Sequence, residues 1–212
     1  MKINQLAPNP QFVQRCKEEL EYLLCQPTVQ QLRPCSNCTI PCTCSGSPTC
    51  TCGCSHNCEQ ASYQMSSDPG RYPIEDKIMP LVYEFYGLRI CDPCWSCEGH
   101  CSSNGELIKI PQAWFYTRSM LYPRLISEHL EHLIIKKLLA YPWHIRITYS
   151  SVLNFDTAFS IEPQLNQLDE VQLELLQKDV AVIADNFNEA MRARARRYME
   201  TSDSNSKNHR IF

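Results

Sequence analysis

A chain of 212 residues with a net charge of −3 can enclose one good core and a small satellite module, and it carries no basic field to draw in nucleic acid or anionic lipid. No apolar stretch nears the roughly 20 residues that a membrane helix needs, and the opening MKINQLAPNPQF lacks the apolar region and cleavage site of a signal peptide. The expectation is a cytoplasmic protein with no membrane partner, and in that reducing compartment 14 cysteines point to metal rather than disulfides.

The first element is a helix. Asn9 serves as N-cap, Pro10 takes the first helical position, and Phe12, Val13, Cys16, Leu20, Leu23 and Leu24 form an inward stripe ending near residue 25. Cys16 and Cys25, nine residues apart, face opposite sides and read as buried free thiols. Residues 26–70 are Pro, Ser, Thr, Gly and Cys, too poor in apolar side chains to fold unaided, so metal must hold the segment if anything does.

From residue 72 an ordinary domain begins. YPIEDKIMPLVYEFYG reads as a helix with Ile74, Ile78, Leu81, Val82 and Phe85 inward, Pro80 kinking or restarting it and Gly87 ending it. A short strand LRI leads into a thiol loop, and residues 106–118 return as a strand. A second helix over about 120–141 turns Leu125, Ile126, Leu130, Leu133, Ile134 and Leu138 inward. WHIRITYS alternates as a strand, TAFSI follows after a turn near Asn154, and one long helix over about 167–199 closes the fold.

The expected class is therefore α+β. About four strands, from two helix–hairpin units, carry packed helices, with a cysteine-rich, metal-held segment beside them. The domain division is 1–70 for the first helix and cysteine-rich segment, 71–200 for the α+β domain, and 201–212 for a disordered tail. The thiol loop falls at the tip of the first hairpin, where a rigid scaffold presents functional residues.

That loop, CDPCWSCEGHC, spaces Cys91, Cys94, Cys97 and Cys101 as C-x2-C-x2-C-x3-C. The spacing matches a bacterial ferredoxin run up to its fourth cysteine, but Ser102 replaces the following proline and no second copy exists. An iron–sulfur cluster is thus the alternative cofactor, and zinc the leading one. Zinc takes four N or S ligands, often from two C-x2-C knuckles. Cys94 with Cys97 makes one knuckle and Cys35 with Cys38 another, while Cys42, Cys44, Cys50, Cys52, Cys54 and Cys58 supply further thiolates. Between Lys17 and Lys77 the only cations are Arg33 and Arg71, so one or two ions are an easier electrostatic load than a metallothionein-like array.

His56 and His100 are the imidazoles of these runs. If His100 joins Cys94 and Cys97, the fourth position is open, and an open zinc can activate water, with Glu98 as a candidate general base. In the plainer reading Glu98 and His100 only hydrogen-bond the loop backbone. A metal-free Cys97–His100 nucleophile pair is a further option. The expected function is that of a zinc-binding accessory or binding protein with a protein partner; the alternatives are an enzyme on an open Cys94/Cys97/His100 zinc and an iron–sulfur electron carrier.

The core PCWSCEGH, with RYPIEDKIMPLVYEFYGLRICDPCW and PQAWFY around it, resembles an uncharacterised bacterial cysteine-rich protein family over roughly residues 50–120. That likeness implies no activity. The order helix, Ser96-Cys97-Glu98-Gly99-His100, strand is also similar to the tRNA wybutosine-synthesis protein family, which carries Arg where this chain has His100; the acidic net charge argues against nucleic acid. Arg192, Arg194, Arg196 and Arg197 read as a solvated helix end, His129 and His132 as a solvated face, and Trp114, Phe115 and Tyr116 as a half-core strand.

Overall fold

The computed structural model describes residues 9–26, 66–68, 70–149, 157–165 and 171–208. Helix α1 (Pro10–Cys25) starts as its sequence dictates: Asn9 accepts the Gln11 N–H at 2.9 Å, and Pro10 costs no intrahelical bond at the first position. Its buried residues are Leu20 and Leu23, whereas Phe12 is 63% exposed. Cys25 is exposed and Cys16 half-buried, so neither is a core thiol.

Helix α2 (Met79–Leu88) begins later than expected because Pro80 sits in its first turn. It ends not at Gly87, which is buried inside it, but at Arg89 in the left-handed region, φ 57°. Ile78, Leu81, Val82 and Phe85 are buried as their spacing requires.

Strand β1 (Asp92–Cys101) pairs antiparallel with β2 (Leu107–Tyr116). The expected LRI strand does not form, and the thiol run is the strand itself rather than a loop. The turn falls at Ser102–Glu106, where the Ser102 N–H donates to the Glu106 carbonyl at 2.7 Å and Gly105 takes φ 88°.

Helix α3 (Leu121–Ile135) stops six residues short of the expected end. Lys137 adopts φ 56°, with Leu138 N–H bonded to the Leu133 carbonyl and Lys137 N–H to that of Ile134, the paired bonds of a Schellman end. Ile134 and Leu138 consequently lie exposed, while Leu125, Ile126, Leu130 and Leu133 stay buried.

Strands β3 (Trp143–Tyr149) and β4 (Thr157–Pro163) form the second hairpin, whose connecting residues, including Asn154, lie outside the described ones. The four strands are ordered β1-β2-β4-β3, all antiparallel, which leaves β1 and β3 as edges. The expected long closing helix is two, α4 (Leu173–Ala184) and α5 (Phe187–Asn208), broken at Asn186 with φ 56°. The backbone of α5 runs into the polar stretch read as a tail; residues 209–212 lie outside the described ones.

The fold is α+β, helices packed on a four-stranded sheet. Its centre is aromatic, with ring centroids of Phe85 4.8 Å from Phe115 and 5.3 Å from Phe187. Asp179 of α4, itself buried, fixes the start of β3 by accepting the N–H groups of Ala140 (2.7 Å) and Tyr141 (3.0 Å) and the Trp143 indole N–H (3.1 Å). Arg192, expected to be solvated, is buried and caps the end of α1 through the Leu23 and Leu24 carbonyls at 3.1 and 3.3 Å. His129 is likewise no solvated residue: it is 4% exposed and meets Phe187 edge-on at 5.6 Å. Among the described residues, no helix is long and apolar enough to cross a membrane.

Candidate metal centre

An extended strand rises about 3.3 Å per residue, so the run from Cys91 to Cys101 spans roughly 30 Å and its four thiols cannot meet. Cys91 is buried in the core beside Ile90, and burial pushes its thiol far up. Cys94 is exposed, the extra residue at an irregularity where the register shifts between Pro93 and Trp95. Cys101 is exposed at the strand end. An extended run of this length does not gather its four thiols at one point. Cys35, Cys38, Cys42, Cys44, Cys50, Cys52, Cys54, Cys58 and His56 lie outside the described residues.

What β1 does bring together is Cys97 and His100, with Glu75 from the segment before α2. One ligand atom of each lies within 4.8 Å of the others, the convergent group of this kind among the described residues. Two side chains three apart on a regular strand point to opposite faces. Gly99, at φ 84°, turns the chain between them. Any side chain there is strained, because the backbone is left-handed and a Cβ on Gly99 would lie 2.6 Å from Leu173 Cδ1 and 2.8 Å from Pro111 Cδ.

Glu75 is held along the free edge of β1. Its Oε2 accepts the Glu98 N–H at 2.7 Å, a donor that the edge strand would otherwise leave unpaired, and its Oε1 lies 2.8 Å from His100 Nε2. Glu98 returns the contact, its carboxylate accepting the Lys77 N–H at 2.8 Å, and its carbonyl accepts from Gln177 of α4 at 3.1 Å. The Glu98 carboxylate thus fastens the pre-α2 segment to β1.

Cys97 is 4% exposed. Burial pushes its thiol up, and the Glu75 and Glu98 charges add to this, while the Gly99 N–H and the Lys109 ammonium oppose it. A buried neutral thiol is a poor nucleophile, which counts against a metal-free Cys97–His100 pair. A divalent cation reverses that balance by drawing off the proton. One sulfur, one imidazole nitrogen and one carboxylate oxygen form a zinc-type donor set. Zinc bonds of about 2.0–2.3 Å place tetrahedral ligands roughly 3.3–3.8 Å apart, so the Glu75 and His100 atoms, 2.8 Å apart here, would part by about half an ångström to share an ion.

The group lines a cleft of about 830 Å³, whose wall also includes Cys94, Trp95, Arg71, Tyr72 and Lys109. Glu75 is the residue that the sequence did not single out: it lies 22 positions before Cys97, a separation that no motif marks. Compared with known proteins, the chain matches no protein family, no curated protein and no solved structure.

Proposed function

We propose that this chain is a zinc-binding protein whose ion is held by Glu75, Cys97 and His100, with its fourth position facing the cleft. The convergence of those three side chains from two segments of the fold carries the reading. Glu75 accepts the Glu98 N–H and stands against His100, so the carboxylate is oriented by backbone before any ion arrives. The protein then acts as a binding or accessory protein, with the ion as its recognition element.

A second reading, a zinc-dependent enzyme, is favoured by one observation. The group supplies three protein ligands beside an open cleft, the arrangement of zinc sites that keep a position for water. In that reading the Glu98 carboxylate, the candidate base, is oriented by the Lys77 N–H that it accepts.

Elemental analysis of the purified protein and its variants tests the zinc assignment. Cys97→Ser, His100→Ala and Glu75→Gln are each expected to remove one equivalent of zinc or to weaken it at least about tenfold, the loss typical of a ligand or its orienting partner. Cys91→Ser and Cys101→Ser are expected to keep that equivalent. Unchanged zinc in all three of the first set would refute the site.

A further inference from the structure

The charges around the cleft specify what the ion's open position receives. An ion of charge two is matched by the Glu75 carboxylate and the Cys97 thiolate, and the cleft wall adds the Arg71 and Lys109 cations, with the Glu98 carboxylate a further charge acting on Cys97. Lys109 is the strand partner of His100 on β2, directly across from the site. Arg71 stands over the Tyr72 ring at 4.9 Å from its centroid. Two aromatic rings border the same space: Tyr72 is 61% and Trp95 44% exposed, and Trp95 packs against its strand partner Trp114, ring centroids 5.2 Å apart.

Exposed aromatic faces of this kind offer a stacking surface to a planar group, and two cations beside a metal offer bidentate and point-charge contacts to a doubly charged acid. The volume, about 830 Å³, lies in the usual range for small-molecule sites. Resting on the zinc reading above, we infer that the cleft binds a dianionic phosphate monoester of an aromatic or heteroaromatic group, its phosphoryl oxygens on the ion, Arg71 and Lys109 and its ring against Trp95 and Tyr72.

Phenylphosphonate, whose P–C bond resists hydrolysis, is the probe, titrated calorimetrically at mildly alkaline pH into full-length protein of measured zinc content. The expected result is binding at least about tenfold tighter than methylphosphonate, which lacks the ring, and than benzyl alcohol, which lacks the acid. Arg71→Met, at an exposed position that the fold does not depend on, should weaken phenylphosphonate about tenfold with zinc content unchanged, and Trp95→Ala should erase its advantage over methylphosphonate. Zinc-loaded protein that fails to bind phenylphosphonate, or binds it equally well as Arg71→Met, overturns the ligand and leaves the zinc site standing. Equal affinity with and without zinc overturns the coordination of the phosphoryl group. Protein that takes up no zinc at this site brings down both readings.

Discussion

Gly99 shows how one residue decides whether a strand can carry a site. Its φ of 84° sets Cys97 and His100 to the same target, and Leu173 and Pro111 fill the space where a side chain would go. Gly99→Ala combines left-handed strain with overpacking, so it should destabilise the protein by roughly 2–4 kcal/mol and release the zinc equivalent. Urea denaturation alongside metal analysis measures both, and an alanine variant with wild-type zinc would show that Gly99 does not set the geometry. A second residue acts through charge. Burial, then the charges of Arg194 and His132, push His129 down to about 4, against the carbonyl of Ile183. Below about pH 6.5, the ordinary value for histidine, the unfolded chain takes up a proton that the folded one refuses. Stability should therefore be complete above pH 6.5 and fall as the pH drops to 4, by about 3 kcal/mol. His129→Leu should flatten that part of the stability–pH curve; an unchanged slope would assign the acid sensitivity elsewhere. Cys97 and His100 were legible as candidates because cysteine and histidine stand out by type. Glu75 and Gly99 were not, since their roles come from a tertiary approach and a backbone angle that leave no spacing in the sequence.

Between elements, the contact of α1 with the rest rests on polar groups as much as on its two buried leucines. Arg192 of α5 holds the Leu23 and Leu24 carbonyls, and Glu19 receives both the Tyr122 hydroxyl and Arg118, the latter pair at 2.8 Å. Arg192→Met keeps much of the apolar stem but strips the donors from carbonyls at a helix end. The expected outcome is a local loss: α1 amides should exchange at least about tenfold faster, while those of β2 and β4 keep their protection. Uniform loss across the sheet would mean that α1 belongs to the cooperative core. The element order from α2 to β4 was readable because hydrophobic period separates helix from strand. The thiol run was misplaced for an equally physical reason: cysteine, glycine and proline carry turn statistics, yet β1 gains a full ladder with β2 that outweighs them. Helix ends failed similarly, because Arg89, Lys137 and Asn186 adopt the left-handed turn that sequence reading reserves for glycine.

At the scale of the whole molecule, the proposed ion sits on an edge strand, away from the aromatic centre that Phe85, Phe115 and Phe187 build between sheet and helices. Folding of the described core therefore does not wait on metal, in contrast to small zinc domains that unfold without it. Zinc still stabilises by mass action: at a hundredfold excess over its dissociation constant it adds about 2.7 kcal/mol, which for a chain of this size raises the melting temperature by roughly 5–10 °C. Treatment with a chelator should keep the far-ultraviolet dichroism of helix and sheet and a single cooperative melt, shifted down by that amount, and added zinc should restore it. Cys97→Ser should melt at the chelated temperature and no longer respond to zinc. A chelated protein that loses its helical signal altogether would place the ion inside the folding core, and the edge-strand site would then be the wrong one.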